Sequence, residues 1–150
     1  MPTIPASYPP RASVTPQVNY IRKTVNFNDA GIGSGYMFAS IPLNSYILAV
    51  SVEVVTVFNA ASTNVLTFGT TLASANELAG SGDINEAATG VQTATVGLGR
   101  SLTQTATAAV GNVTPAEGGV GIFAKYTQTG TPATTGKAVV IITYIPDNDG

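Results

Sequence analysis

The sequence predicts an all-β protein: one antiparallel β-sandwich, with a jelly roll among the topologies it allows, carrying an extended proline-rich N-terminal arm. Three observations predict it. Apolar and polar residues alternate with period two over 46–58, 120–128 and 137–145, in runs rich in Val, Ile and Tyr. No long amphipathic helical pattern competes with them. Five of the nine prolines, Pro2, Pro5, Pro9, Pro10 and Pro16, fall in the first nineteen residues, where a fixed φ and a missing N–H forbid a regular helix or a central strand. The division is therefore an arm over 1–19 and a single domain over 20–150, a length at which a chain can bury a full core.

Along the chain, 20–27 reads as the first strand. Ile21, Val25 and Phe27 share a face with Lys23, which places this strand near a sheet edge. Asn28 to Gly31, with Gly33 and Gly35, is a turn, and 36–41 is a short strand stopped by Pro42. In 46–58, Leu48, Val50, Val52 and Val54 form a dry face against Ala49, Ser51, Glu53 and Val55. A polar loop and the return strand 65–69 make this pair look like a hairpin. Residues 72–78 read as strand or as a helical turn, 80–83 as a turn, and 84–89 as a loop or a short helix. Strands follow at 91–98 and, with little apolar content, at 100–109. The loop 112–119 leads into 120–128, where Val120, Ile122, Ala124 and Tyr126 oppose Phe123, Lys125 and Thr127. In 137–145 both faces are apolar, which assigns it a central place. Pro146 and an acidic tail end the pattern. The count is about eight strands, in keeping with a two-sheet fold.

Composition bounds function. His, Cys and Trp are absent, which removes the Ser-His-Asp triad, imidazole and thiolate metal sites, thiol nucleophiles and disulfides. Only 9% of residues are charged, against about 25% in average soluble proteins. The basic residues are Arg11, Arg22, Lys23, Arg100, Lys125 and Lys137, too scattered to neutralise a run of phosphates, so no nucleic-acid partner is expected. The longest apolar stretch is broken by Ser51, Glu53 and Thr56, so no membrane span is expected either, and no basic-then-apolar leader opens the sequence. A surface of Thr, Ser, Asn and Gln with few charges suits a protein packed into an assembly. The other reading of that surface is an ordinary secreted or viral β-domain.

The candidate chemistry is sparse. Glu53 could be half of a glycosidase carboxylate pair, which needs a second acid roughly 5–10 Å away, but none stands at strand spacing from it. A solvated or interface glutamate is the plainer account. Asp83-Ile84-Asn85-Glu86 begins a calcium-loop pattern without the six to eight oxygens calcium takes, and a turn with a helix start explains Asp83 as well. Gly97-Leu98-Gly99-Arg100-Ser101 lacks phosphate-loop spacing, and its glycines suit a bulge or bend. Arg100 can reach a partner's carboxylate with both guanidinium nitrogens. The arm is either a disordered terminus or a segment laid on a neighbouring subunit, with Pro5, Tyr8, Pro9, Pro10 and Arg11 as its contacts. No cofactor, catalytic or metal-ligating residue is assigned.

The segments 23–31 (KTVNFNDAG), 61–69 (ASTNVLTFG), 83–86 (DINE) and 124–130 (AKYTQTG) resemble those of tailed-bacteriophage capsid decoration, or cement, proteins, a likeness of style spanning residues 20–145. The resemblance implies a non-enzymatic virion protein with a β-sandwich or jelly-roll fold. It would bind the major capsid protein on the outer capsid surface after assembly in the host cytoplasm, as a homo-oligomer, often a trimer at three-fold positions. The alternative is a tail- or fibre-associated module that recognises a host glycan. That reading expects aromatic residues grouped on loops, whereas most of those present fall within predicted strands.

Overall fold

The computed structural model describes residues 18–42, 45–94 and 119–146. Among them are seven strands and no helix: β1 (Asn19–Asn26), β2 (Tyr36–Pro42), β3 (Tyr46–Thr56), β4 (Thr63–Gly69), β5 (Gly90–Ala94), β6 (Gly119–Thr129) and β7 (Lys137–Ile145). They form a four-stranded sheet in the order β1-β7-β3-β5 and a three-stranded sheet in the order β2-β6-β4. Every pairing is antiparallel. The predicted strand over 100–109, the end of the strand predicted over 91–98, most of the 112–119 loop, and the acidic tail lie outside the described residues, as does the arm up to residue 17.

The two sheets close on one core. Val25, Val50, Val52, Val54, Ala138, Val140 and Ile142 enter it from the four-stranded sheet, and Ile41, Leu66, Phe68, Val120, Ile122, Ala124 and Tyr126 from the other. Two aromatic contacts cross the layers or bind neighbours within them: Phe58 lies against Tyr126 with ring centroids 4.8 Å apart, and Phe38 meets Phe68 edge-on at 6.1 Å, both separations typical of favourable ring pairs. The β1 and β7 placements agree with expectation. β1, with Lys23 on its inward parity, is an edge strand, and β7, apolar on both faces, is held between β1 and β3.

Two expectations are corrected. β3 and β4 are not a hairpin: β3 pairs with β5 and β7, and β4 with β6 in the other sheet. The loop after Phe58 therefore crosses between layers. Its anchor is Asn59, whose Oδ1 accepts the N–H groups of Thr134 and Thr135 at 2.8 and 2.9 Å, while its Nδ2 donates to Thr134 Oγ1 at 2.9 Å. The second correction concerns Leu48. The register of β3 on β7 slips between Ile47 and Ala49, and a bulge of one residue inverts the alternation on its far side. Ile47 is therefore the fully buried residue, and Leu48 is 39% exposed.

Of the two readings of the segment after β4, strand or helical turn, the structure has the helical turn, and a single one. Ala75 N–H closes one helical-type turn onto Thr71 C=O at 2.7 Å, and Ala75 itself has φ 46°, which ends the turn. This turn packs on the outer face of the smaller sheet, where Phe123 is fully buried with Ala75 against Met37 and Leu72. The approach is close enough to require glycine at position 69: a Cβ there would lie 2.0 Å from Glu77 Oε2 and 2.5 Å from the Ala75 backbone.

Two outcomes follow for stability. Ile47→Ala should cost about 2–5 kcal/mol as a buried large-to-small change, while Leu48→Ala next to it should stay within about 0.5 kcal/mol, as read from urea midpoints. Equal losses at the two positions would contradict the bulge. Gly69→Ala should cost on the order of 1–3 kcal/mol through overpacking, because the atoms in its way are largely backbone.

Candidate interaction surfaces

β4 is the outer strand of the smaller sheet, so alternate N–H groups along it point away from β6. An unpaired N–H row of this kind invites another strand, and when buried each group needs an acceptor. Each of three successive groups has one. Leu66 N–H donates to Glu86 Oε1 at 2.6 Å, Phe68 N–H to Ala79 C=O at 3.0 Å, and Thr70 N–H to Glu77 Oε2 at 2.9 Å. Ala79 returns its own N–H to Phe68 C=O at 2.9 Å, a single bridge standing where a further strand would run. Glu86 also accepts Phe58 N–H on its main-chain oxygen at 3.0 Å. The sequence marked Glu86 only as a calcium-loop fragment; its work is to cap a strand edge.

The environments of the two glutamates differ. Burial pushes the Glu86 carboxyl above the ordinary glutamate range, with the Leu66 N–H opposing only in part. Burial acts on Glu77 in the same sense, but hydrogen bonds from the Thr71 hydroxyl, from backbone N–H groups and from the Ser74 hydroxyl outweigh it, and its carboxyl is held below that range. Tyr126 is raised by burial and then by the nearby Glu86 charge, and its hydroxyl donates to Asn64 Oδ1.

The remaining acids in view serve turns. Asp83 Oδ2 accepts Gly80 N–H at 2.8 Å, which supports the turn reading of Asp83 without a helix behind it. Asp29 closes the β1–β2 connection by accepting Asn26 N–H at 2.9 Å and the Tyr36 hydroxyl at 3.1 Å. Its carboxyl is held below the usual range by these bonds and by Lys23, against the effect of burial. Among the described residues no three His, Cys, Asp or Glu side chains gather as a metal site would need. Lys125 is committed locally, its Nζ donating to Ala73 C=O at 2.7 Å.

Glu53 stands apart. It is exposed mid-strand on the outer face of the four-stranded sheet, opposite Val139 on β7 and Val91 on β5. That face is unusually apolar. Val18, Tyr20, Tyr46, Leu48, Val55, Val91 and Ile141, the large hydrophobics that the structure leaves exposed, all belong to this sheet or to its ends. Tyr20 and Val91 are each 70% exposed. The alternation in the sequence does not isolate this face, because it sets Ala49, Ser51, Glu53 and Val55 opposite the dry side of 46–58 and counts Leu48 as inward; only the second apolar side of 137–145 hints at it. The predicted contact residues Pro5, Tyr8, Pro9, Pro10, Arg11 and Arg100 lie outside the described residues.

The two capping glutamates should give opposite pH dependences. A raised folded pKa means that ionised Glu86 is disfavoured by folding, so wild type should gain stability relative to Glu86→Gln as pH falls through that raised pKa. A depressed folded pKa means that ionised Glu77 stabilises the fold, so wild type should lose stability relative to Glu77→Gln as pH falls below the ordinary glutamate range. Denaturant titrations between neutral pH and pH about 3 read both slopes; slopes of the same sign would refute the assignment. Glu86→Ala strands the Leu66 N–H and should cost about 1–3 kcal/mol at any pH in that span.

Two solved structures share the fold. A chain of the cyanophage Pam1 capsid asymmetric unit superposes with a TM-score of 0.51, covering 96% of this chain and 100% of that chain at 17% identity. A chain of the acidic stable capsid structure of Helicobacter pylori bacteriophage KHP30 superposes with a TM-score of 0.50, covering 85% and 86% at 17% identity. No protein-family model matches the sequence, and no curated protein matches it. At this identity the likeness is one of fold.

Proposed function

We propose that the chain is a non-enzymatic structural protein of a bacteriophage virion that binds and stabilises the outer surface of the capsid. The observation that carries this reading is the match, end to end, with a chain of a phage capsid asymmetric unit: 96% of this chain against 100% of that one. The sequence resemblance to decoration proteins points the same way from different evidence. The disposition of the acids adds to it. Asp29, Glu77, Asp83 and Glu86 are taken up by backbone N–H groups, which leaves Glu53 without a second carboxylate beside it on its strand neighbours.

The strand order favours a jelly roll. That fold has eight strands in two sheets; here the orders are β1-β7-β3-β5 and β2-β6-β4, and the place beyond β4 is held by the Ala79 bridge. On this reading the partners are the major capsid protein and other copies of the same chain, as a homotrimer, and the location is the capsid surface, reached by assembly in the host cytoplasm. Sparse charge supports such contacts, because burying Thr, Ser and Ala costs far less desolvation than burying ions. A symmetric oligomer on a symmetric shell also binds multivalently, so each contact can be weak.

The test is native mass together with co-sedimentation on purified capsids. A mass three times that of the 15.2 kDa chain and pelleting with capsids are expected. A monomer that never pellets but binds host-surface glycan would overturn the reading in favour of a receptor-binding module.

A further inference from the structure

We propose that β1 pairs antiparallel with β1 of a second copy about a two-fold axis at Ile21, joining two four-stranded sheets edge to edge. The proposal goes beyond the virion reading and does not rest on it. It begins from the backbone. Phe27 N–H donates to Gly136 C=O at 3.0 Å, one step past the Asn26–Lys137 pair of the β1–β7 ladder. Hydrogen-bonded and non-hydrogen-bonded pairs alternate in such a ladder, so Ile21, Lys23 and Val25 turn their N–H and C=O groups to β7. Those of Tyr20, Arg22 and Thr24 point off the edge. Asn26, on the same parity, is closed: its N–H donates to Asp29 Oδ2 at 2.9 Å and its C=O accepts Asp29 N–H at 3.2 Å. Among the described residues nothing closes Tyr20, Arg22 or Thr24 in this way.

The other edges are treated differently. β4 is capped by Glu86, Ala79 and Glu77. β2 is broken by a register shift between Met37 and Ala39 and ends at Pro42, which has no N–H. β5 runs for only five residues. Capped, bulged and short edges resist pairing. β1 keeps an unbroken register over its eight residues, and its one defence is the inward charge of Lys23.

The side chains select the register. An axis at Arg22 sets Arg22 directly against its own copy, and like charges so placed are destabilising. An axis at Lys23 sets Tyr20 against Asn26, whose backbone Asp29 already holds. An axis at Tyr20 leaves Arg22 opposite Val18. With the axis at Ile21, Tyr20 stands opposite Arg22 of the second copy and Arg22 opposite its Tyr20, two pairings of a cation with an aromatic ring. Both side chains are exposed, Tyr20 by 70%. On the inward parity Ile21 meets Ile21 of the second copy, and Lys23 meets its Asn19, so the inward charge faces a polar side chain. Val18, itself exposed, falls opposite Thr24. A closed trimer contains no two-fold axis, so in a shell of trimers this contact joins neighbours, where multivalency lets a short ladder hold.

The chain has no cysteine, so an introduced one reports directly. In the full-length protein, Ile21→Cys should form a disulfide-linked dimer on mild oxidation. It should do so severalfold faster than Arg22→Cys, whose two side chains sit diagonally in this register, or Thr127→Cys, exposed on the smaller sheet. Adding Thr24→Pro to Ile21→Cys removes an edge-facing N–H and leaves the β7 ladder intact. It should lower cross-linking to the Thr127→Cys rate with unchanged far-UV circular dichroism. Because Ile21 also packs against the core, the unaltered chain supplies a second reading: amide exchange at Tyr20, Arg22 and Thr24 should slow severalfold from dilute to concentrated solution. Arg22→Cys cross-linking as fast as Ile21→Cys, cross-linking indifferent to Thr24→Pro, or exchange at the three amides that is independent of concentration would each overturn the proposal. Slow exchange at every concentration would mean that the edge is covered within one chain. None of these readings uses capsids or native mass, so the pairing and the virion reading fail separately.

Discussion

The smaller sheet stands on the need of one strand edge for acceptors. β4 and the residue after it turn the N–H groups of Leu66, Phe68 and Thr70 away from β6, and no fourth strand runs beside β4 among the described residues. Side chains and one bridge take the place of that strand: Glu86, Ala79 and Glu77 in turn. Much follows from this substitution. The connection from β4 to β5 must return along the edge to place both glutamates, and in doing so it lays its turn on Phe123 and forces a glycine at position 69. The edge is closed against another strand without needing a strand to close it.

This explains how so few charges are spent. With eight acids in the chain, four of those in view, Asp29, Glu77, Asp83 and Glu86, accept main-chain N–H groups. Charged acceptors make stronger hydrogen bonds than neutral ones, so each fixes a connection that carries little apolar area of its own. Glu86 is the costly member, because burial disfavours its ionised form, yet without it the buried Leu66 N–H would have no acceptor. Among the described residues, Glu53 alone of the acids is left out of this work.

What could be read from the sequence was what period two records: the strands at 46–58, 120–128 and 137–145, the central place of β7, and Val120, Ile122, Ala124 and Tyr126 as one buried face. Pairing partners were not so recorded. Alternation says which face a residue occupies but not which strand lies beside it, and so β3 and β4, adjacent in sequence and joined by a polar loop, looked like a hairpin while belonging to different layers. The bulge at Leu48 was hidden for a related reason, since Ile47 and Leu48 are both apolar and either phase of the alternation could be drawn through them. Glu86 was hidden because its partner is a main-chain N–H twenty residues earlier, which no side-chain spacing announces. Ile32 lies in the core although it sits in a glycine-rich turn; its C=O accepts Tyr126 N–H at 2.9 Å, which ties that turn to β6.

A fold shared at 17% identity means that the two-sheet frame tolerates nearly complete replacement of its side chains, provided that inward positions stay apolar and edges stay satisfied. Function in such a frame is carried by what is added at its surfaces. Here the two outer faces have been treated differently: one is covered at Phe123 by a turn that leads into Glu77, a cap of the β4 edge, and the other presents valine, tyrosine and isoleucine around Glu53, the single acid on it among the described residues. Exposed apolar area on that scale in a chain with so little charge would drive association unless something covers it.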